Sequence, residues 1–105
     1  MSYEVIFTRK AAKDLRKLDR AVAHEVIDAI EARAQSPHKA GAQLSGNLAG
    51  TYKIKLRHLG IRVVYSLEDN VLKMVIIAIG RRENHEVYEN AATRFILYLA
   101  DGIED

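Results

Sequence analysis

The feature that most constrains the fold is a series of three strand-like segments in the second half of the chain. They cover about residues 50–56, 61–67 and 71–79, and only a few residues separate each segment from the next. Such short turns can join antiparallel strands, whereas parallel strands need a long crossover. The spacing therefore predicts an antiparallel β-meander.

Helical patterns precede this meander. Residues 3–7 alternate like a short first strand, and residues 8–18 are predicted to form a helix capped by its first residue, Thr8. Asp19 offers a second cap, and apolar residues then recur at helical spacing over residues 20–35. Pro37 ends this pattern because proline disfavours helical geometry in the residue before it. An α-hairpin is therefore expected after the first strand.

The chain closes with one more predicted helix and a short acidic tail. The helix is expected over about residues 84–100, and the acidic residues of the tail are Asp101, Glu104 and Asp105. We therefore predict one α+β domain over residues 1–105: an amino-terminal strand and α-hairpin, an antiparallel β-meander and a carboxy-terminal helix. The apolar stripe of the last helix is predicted to be Val87, Tyr88, Ala91, Phe95 and Leu99.

The charges are segregated along the chain. Residues 32–67 contain no Asp or Glu, although the whole chain has 14 acidic against 16 basic residues. Because the net charge is only +2, this one-sided distribution is what points to a polyanionic partner. The cations of this segment are Arg33, Lys39, Lys53, Lys55, Arg57 and Arg62.

Strict alternation in the first strand of the meander separates its apolar and basic residues. Tyr52, Ile54 and Leu56 would face a core, and Lys53 and Lys55 would face a phosphate backbone. Arg62 on the next strand would then lie within roughly 10 Å of both lysines, since neighbouring strands are about 4.8 Å apart. Arg82, near the end of the last strand, and Tyr88, early in the last helix, are expected to complete this site.

Composition excludes several other classes of protein. The chain has no cysteine, which excludes disulfide bonds and thiolate metal sites, and its four histidines lack the spacing of metal ligands. The longest apolar run, residues 74–79, is far shorter than the roughly 20 residues that span a bilayer. No apolar signal core is present at the amino terminus. We expect a soluble cytoplasmic protein with no metal, no cofactor and no membrane partner.

These residue types suit the chemistry of RNA cleavage. RNA supplies its own nucleophile, because the ribose 2′-hydroxyl can attack the adjacent phosphate once a base removes its proton. Lys53 or Lys55 is a credible base, since neighbouring cations lower the pKa of a lysine. Arg82 would neutralise the leaving oxygen or the phosphate, and Tyr88 would stack on a base or hold the nucleophile.

An ordered set of short motifs makes the chain similar to a known family. It includes Leu44-Ser45-Gly46, Tyr52-Lys53-Ile54-Lys55-Leu56-Arg57, Gly60-Ile61-Arg62-Val63-Val64-Tyr65, Ile79-Gly80-Arg81-Arg82-Glu83 and Glu86-Val87-Tyr88. Together these motifs resemble the RelE family of bacterial toxins, and the resemblance spans nearly the whole chain.

The resemblance implies a compact α+β fold of the microbial ribonuclease type and an endoribonuclease that cuts messenger RNA in the A site of the 30S ribosomal subunit. It implies Lys55 as general base, Lys53 and Arg62 as stabilisers of the phosphate and the transition state, Arg82 at the leaving group, and Tyr88 as a stacking or orienting aromatic. It also implies a cognate RelB-like antitoxin that wraps the toxin and restrains or displaces its last helix. Promoter DNA would be bound only by the toxin–antitoxin pair.

Two other functions fit the same pattern. ParE-like toxins have the same scaffold but inhibit DNA gyrase, and they typically lack the complete Lys, Lys, Arg, Arg, Tyr set. A noncatalytic RNA-binding module would use the basic strand face without cutting RNA. The same residues could instead have purely structural roles. Lys53 and Lys55 would then lie on the solvated face of a strand, Arg62 would pair with a carboxylate, and Tyr88 would pack in the core.

Overall fold

A computed structural model describes residues 2–102 of the chain. Met1 and residues 103–105 lie outside the described residues, and with them Glu104 and Asp105 of the predicted acidic tail, whereas Asp101 belongs to the last helix. The predicted α+β class is confirmed: a strand and an α-hairpin precede a meander and a last helix. The elements are β1 (Glu4–Phe7), α1 (Arg9–Arg16), α2 (Arg20–Arg33), β2 (Thr51–Leu56), β3 (Ile61–Glu68), β4 (Lys73–Arg81) and α3 (Glu86–Asp101).

The four strands form one mixed sheet in the order β1-β4-β3-β2. The meander is confirmed, because β2 pairs antiparallel with β3 and β3 pairs antiparallel with β4. The sequence pattern did not predict the pairing of β1, which lies parallel to β4 with Phe7 beside Ile76. The intervening α-hairpin and meander provide the long crossover that parallel strands require.

Each face of the sheet carries its own apolar layer. On one face α1 and α2 cover buried residues that include Ile54, Tyr65 and Ile76. On the other face α3 covers buried residues that include Val64 and Ile77. Successive residues of a strand point to opposite faces, so a strand covered on both sides needs an almost continuous apolar run. This explains the composition of β4, in which residues 74–79 are all buried.

The structure corrects several predicted boundaries. Helix α1 ends at Arg16 instead of residue 18, and α2 ends at Arg33 instead of residue 35. Thr8 caps α1 as predicted, since its hydroxyl accepts from the backbone N–H of Ala11 at 3.1 Å. Asp19 occupies the cap position of α2, but its side chain makes no capping hydrogen bond. Propensity and capping patterns thus located both helices but not their last turns.

The last helix also differs from its prediction. Helix α3 begins at Glu86, after a separate helical turn over residues 83–85, and Leu99 is exposed instead of buried. Its neighbour Tyr98 packs against the core in its place and hydrogen-bonds the carboxylate of Glu68. Strand β4 continues through Gly80 to Arg81, so that glycine lies inside the strand and does not end it.

A nearly buried ion pair completes the open edge of β4. Strand β1 covers this edge only as far as Ile76, and beyond it the side chains of Asp14 and Arg94 replace a strand. The carboxylate of Asp14 accepts from the backbone N–H of Ile79 at 3.0 Å, and Arg94 donates to the carbonyl of Ile77 at 3.0 Å. Their own contact is 2.7 Å. The pair therefore ties α1 and α3 to β4.

Gly80 allows α3 to begin close to the sheet. A Cβ atom at this position would lie only 3.2 Å from the Cβ of Val87. We expect Gly80→Val to lower the free energy of unfolding by about 1–3 kcal/mol, because the added Cβ and its two methyl groups must displace the helix. Urea unfolding would measure this loss. Adding Val87→Ala to the variant should recover part of it, whereas an unchanged stability of Gly80→Val would contradict the close packing.

Candidate functional site

An open basin of about 790 Å³ lies on the α3 face of the sheet, beside the start of α3. Helix α3 packs mainly over β4 and β3. Its start forms one wall of the basin, and β2 and β3 form the floor. The structure brings all five predicted site residues to this one basin. They are Lys53, Lys55, Arg62, Arg82 and Tyr88.

The register of β2 against β3 places the first three cations. Lys55 lies directly across from Arg62, and Lys53 lies across from Val64. Cross-strand partners project from the same face of a sheet, which puts all three cations on the side of α3. Arg62 is buried, with 6% of its surface exposed, and donates to the carbonyl of Ile61 at 3.0 Å. It therefore presents a fixed positive charge at the floor of the basin.

Backbone contacts position the remaining two residues. The N–H of Arg82 donates to the carbonyl of Gly60 at 2.9 Å, which ties the end of β4 to the turn between β2 and β3. Tyr88 is half-buried, so it both packs against the α3 core layer and lines the basin. His85 lies between them in a left-handed conformation with φ of 56°, which is uncommon for a residue with a side chain. Its ring centroid is 6.4 Å from that of Tyr88.

The cations act on one another electrostatically. The positive charge of Lys53 lowers the pKa of the Lys55 amine below its ordinary value, and the charges of Arg57 and Arg62 lower it further. A lysine in such surroundings is neutral more often at physiological pH, and only the neutral amine can accept a proton. The geometry thus favours Lys55 over an isolated lysine as a base.

Acidic groups contribute little to the basin. Within residues 2–102, none of its cations forms an ion pair with a carboxylate, although Glu83 lies on its wall. Arg62 therefore does not have the carboxylate partner that its structural reading supposed. Among the described residues, no group of three or more His, Asp or Glu side chains is arranged to hold a metal ion. No helix in this part of the chain is long and apolar enough to cross a bilayer.

The structure also locates residues that were not predicted to belong to the site. His85 and the motif residue Ser45 line the basin, together with Leu44 and Leu48. Leu44 belongs to the same short motif as Ser45, whereas no charge or spacing pattern marks Leu48, whose position depends on the loop before β2. His58 instead lies near α2, where it hydrogen-bonds Glu25. The remaining cations of the motifs lie elsewhere: Arg81 donates to the carbonyl of Leu59, and Arg57 lines a neighbouring groove.

Comparison with known proteins places this architecture in a family. The family model described as the ParE toxin of a type II toxin–antitoxin system matches residues 5–86. The mRNA interferase toxin RelE of Escherichia coli strain K12 is 34% identical over 96 residues, which are 91% of this chain and 100% of that protein. The chain belongs to the RelE family of toxins.

Solved structures of RelE proteins share the whole fold. A mutant of the E. coli RelE toxin in the free state superposes with a TM-score of 0.79 at 34% identity, covering 90% of this chain and 98% of that one. The toxin in the intact E. coli RelBE toxin–antitoxin complex gives a TM-score of 0.72 at 31% identity, covering 79% of this chain and 100% of that one. The RelE resemblance of the sequence motifs is thereby confirmed.

Proposed function

We propose that this RelE family toxin is an endoribonuclease that cleaves messenger RNA in the ribosomal A site and so stops translation. The observation that carries the proposal is the convergence of Lys53, Lys55, Arg62, Arg82 and Tyr88 in one open, cationic basin. Cleavage of RNA by its own 2′-hydroxyl needs a base, a group that stabilises negative charge on the phosphoryl oxygens and a group that neutralises the leaving oxygen.

Each residue has a distinct part in the proposed reaction. Lys55 takes the proton of the ribose 2′-hydroxyl, whose oxygen bonds to the adjacent phosphorus. Lys53 and Arg62 stabilise the added charge on the phosphoryl oxygens. The bond from phosphorus to the 5′-oxygen breaks, and that oxygen gains a proton from water while Arg82 neutralises its charge. Tyr88 stacks on a base or orients the ribose. Since RNA supplies the nucleophile, the reaction requires no metal.

The proposal includes partners and a location. A RelB-like antitoxin is supported by the fold shared with the toxin of the E. coli RelBE toxin–antitoxin complex. Messenger RNA as the substrate is supported by the name of the E. coli relative, an mRNA interferase. The ribosome belongs to the proposal because the RelE resemblance implies cleavage in the A site. Promoter DNA would be bound only through the toxin–antitoxin pair, and the protein would act in the cytoplasm.

Primer-extension mapping of a defined messenger RNA tests the proposal. The purified chain, freed of antitoxin, is incubated with the RNA in the presence and absence of programmed ribosomes. We expect cleavage in the presence of ribosomes, within the codon in the A site. If the RNA stays intact under both conditions although the protein is folded, the proposed nuclease function is contradicted.

A second candidate function is inhibition of DNA gyrase. The observation in its favour is the ParE description of the matching family model. A supercoiling assay with purified gyrase distinguishes the two functions, because an RNA-cleaving toxin leaves supercoiling unchanged. Binding of RNA without any cleavage product would instead favour a noncatalytic RNA-binding module.

The pH dependence of cleavage should respond to Arg57. The positive charge of Arg57 helps to lower the pKa of Lys55. Removing it in Arg57→Gln raises that pKa, so less of the neutral base is present at neutral pH. We expect a rate reduced several-fold near neutral pH that recovers at higher pH, measured as a pH–rate profile from about pH 6 to about pH 9. The exposed cation Arg20, changed to Gln, is the control. An equal loss at every pH would contradict the electrostatic role.

A further inference from the structure

A second basic groove lies beside the basin, along the edge strand β2. Its volume is about 260 Å³, and the loop before β2 and the end of α2 form its walls. Lys53 and Lys55 line both this groove and the basin. The positive surface therefore continues from the basin across β2. The other cations of the groove are Arg33, Lys39 and Arg57.

One of these cations already has structural contacts. Arg33 donates to the carbonyl of Lys53 at 3.0 Å and to the hydroxyl of Tyr65 at 2.9 Å. Lys39 and Arg57 are exposed, and neither forms an ion pair with a carboxylate within residues 2–102. The ammonium group of Lys39 and the guanidinium group of Arg57 are thus available to bind an anion.

The backbone holds the groove in shape. The N–H of Lys53 donates to the carbonyl of Ala42 at 2.9 Å, and the N–H of Ala42 donates to that of Lys39 at 3.1 Å. The hydroxyl of Tyr65 also donates to the carbonyl of Pro37 at 2.7 Å. The loop is therefore anchored on both sides of Lys39. A preformed site loses less conformational entropy when it binds.

The lining indicates the kind of ligand. Apart from the cations, the described residues that line the groove are Ala40, Gly41 and Ala42, and none of these has a large apolar side chain. A peptide helix or strand needs apolar pockets for its anchors, whereas a nucleic acid backbone needs a cationic track. An RNA backbone thus fits this groove better than a protein segment.

We propose that the groove of Lys39 and Arg57 is a second phosphate-binding site, which holds an RNA backbone along β2 beside the basin. This inference rests on the proposed function and adds to it a second contact with RNA. The shared ligand chemistry is the phosphodiester of RNA, supplied either by the messenger or by ribosomal RNA.

Binding of a non-cleavable RNA tests the site directly. The probe is a short fluorescein-labelled 2′-O-methyl RNA, in which the proposed nucleophile is blocked but the phosphates remain. Fluorescence anisotropy titrations from about 50 mM to about 300 mM KCl give the slope of the logarithm of the association constant against the logarithm of the KCl concentration. If the groove holds the messenger, Lys39→Gln and Arg57→Gln should each make this slope shallower by about 0.7, and the double variant by about 1.4. Ala40→Lys should steepen it by about 0.7.

The control removes the same number of charges elsewhere. Lys13 in the last turn of α1 and Lys17 just after it are exposed. Helix α1 packs on β4 and β1, at the opposite edge of the sheet from β2. Lys13→Gln with Lys17→Gln should leave the slope within about 0.3 of the unmodified value.

Cleavage on programmed ribosomes separates the two sources of RNA. Only Lys39→Gln and Ala40→Lys are used here, because Arg57 also acts on the pKa of Lys55. If ribosomal RNA occupies the groove, Lys39→Gln should raise KM about fivefold with kcat unchanged, without changing the oligonucleotide slope. If the messenger occupies it, the oligonucleotide slope changes as well.

The remaining outcomes are decisive. Slopes and KM equal to those of the control overturn the inference, as does loss of antitoxin binding with RNA binding intact, which would assign the groove to a protein. If the unmodified chain cleaves nothing but the slopes change as expected, the groove stands and the proposed function falls.

Discussion

Replacing Lys55 by alanine is expected to lower the rate of messenger RNA cleavage by about 10²–10⁴-fold while leaving the fold intact. A positioned general base typically contributes that factor. Lys55 is exposed at the basin, so its removal opens no cavity in the core. Primer extension on programmed ribosomes under single-turnover conditions would measure the rate, and circular dichroism would check the fold.

A matched variant distinguishes the role of Lys55 as a base from its role as a positive charge. Lys55→Arg keeps the positive charge, but an arginine has a pKa above about 12 and stays protonated. We therefore expect Lys55→Arg to be nearly as slow as Lys55→Ala. Cleavage by Lys55→Arg at close to the unmodified rate would show that this position supplies only charge. Arg82→Ala should also be slow, because it leaves the departing oxygen without its counter-charge.

The second large effect concerns stability and the pair of Asp14 and Arg94. Their side chains are only 13% and 16% exposed, and the guanidinium contacts both carboxylate oxygens. Arg94→Met would remove the guanidinium from the carboxylate and keep the hydrogen bond from the N–H of Ile79. We expect this variant to lose about 3 kcal/mol of unfolding free energy, because an unpaired buried charge remains. Urea denaturation followed by circular dichroism would measure the loss.

Two further variants make the test specific. Adding Asp14→Asn to Arg94→Met removes the unpaired charge and keeps an oxygen that accepts from Ile79, so the double variant should regain about 1–2 kcal/mol. Arg20→Met removes an exposed cation of α2 and should change stability by no more than about 0.5 kcal/mol. A cost for Arg94→Met as small as that of Arg20→Met would mean that the pair does not hold α3.

Local patterns predicted the parts of the fold that depend on neighbours in sequence. The alternation of Tyr52, Ile54 and Leu56 placed these residues on the core face of β2, and short turns required the antiparallel meander. Helix ends were less predictable, because α1 and α2 stop where packing and loop geometry end them. Leu99 was misplaced because one helical stripe cannot show which of two adjacent residues meets the sheet.

Sequence patterns alone specify the elements, the meander and the set of cations that faces one side of β2. These features follow from strand periodicity, turn length and charge, which are local properties. The parallel pairing of β1 with β4 and the completion of the β4 edge by Asp14 and Arg94 emerge from the folded chain and not from any local pattern. The same is true of the sharing of Lys53 and Lys55 between the basin and the second groove. Each of these features joins segments far apart in the chain, and their meeting depends on the packing of the whole sheet.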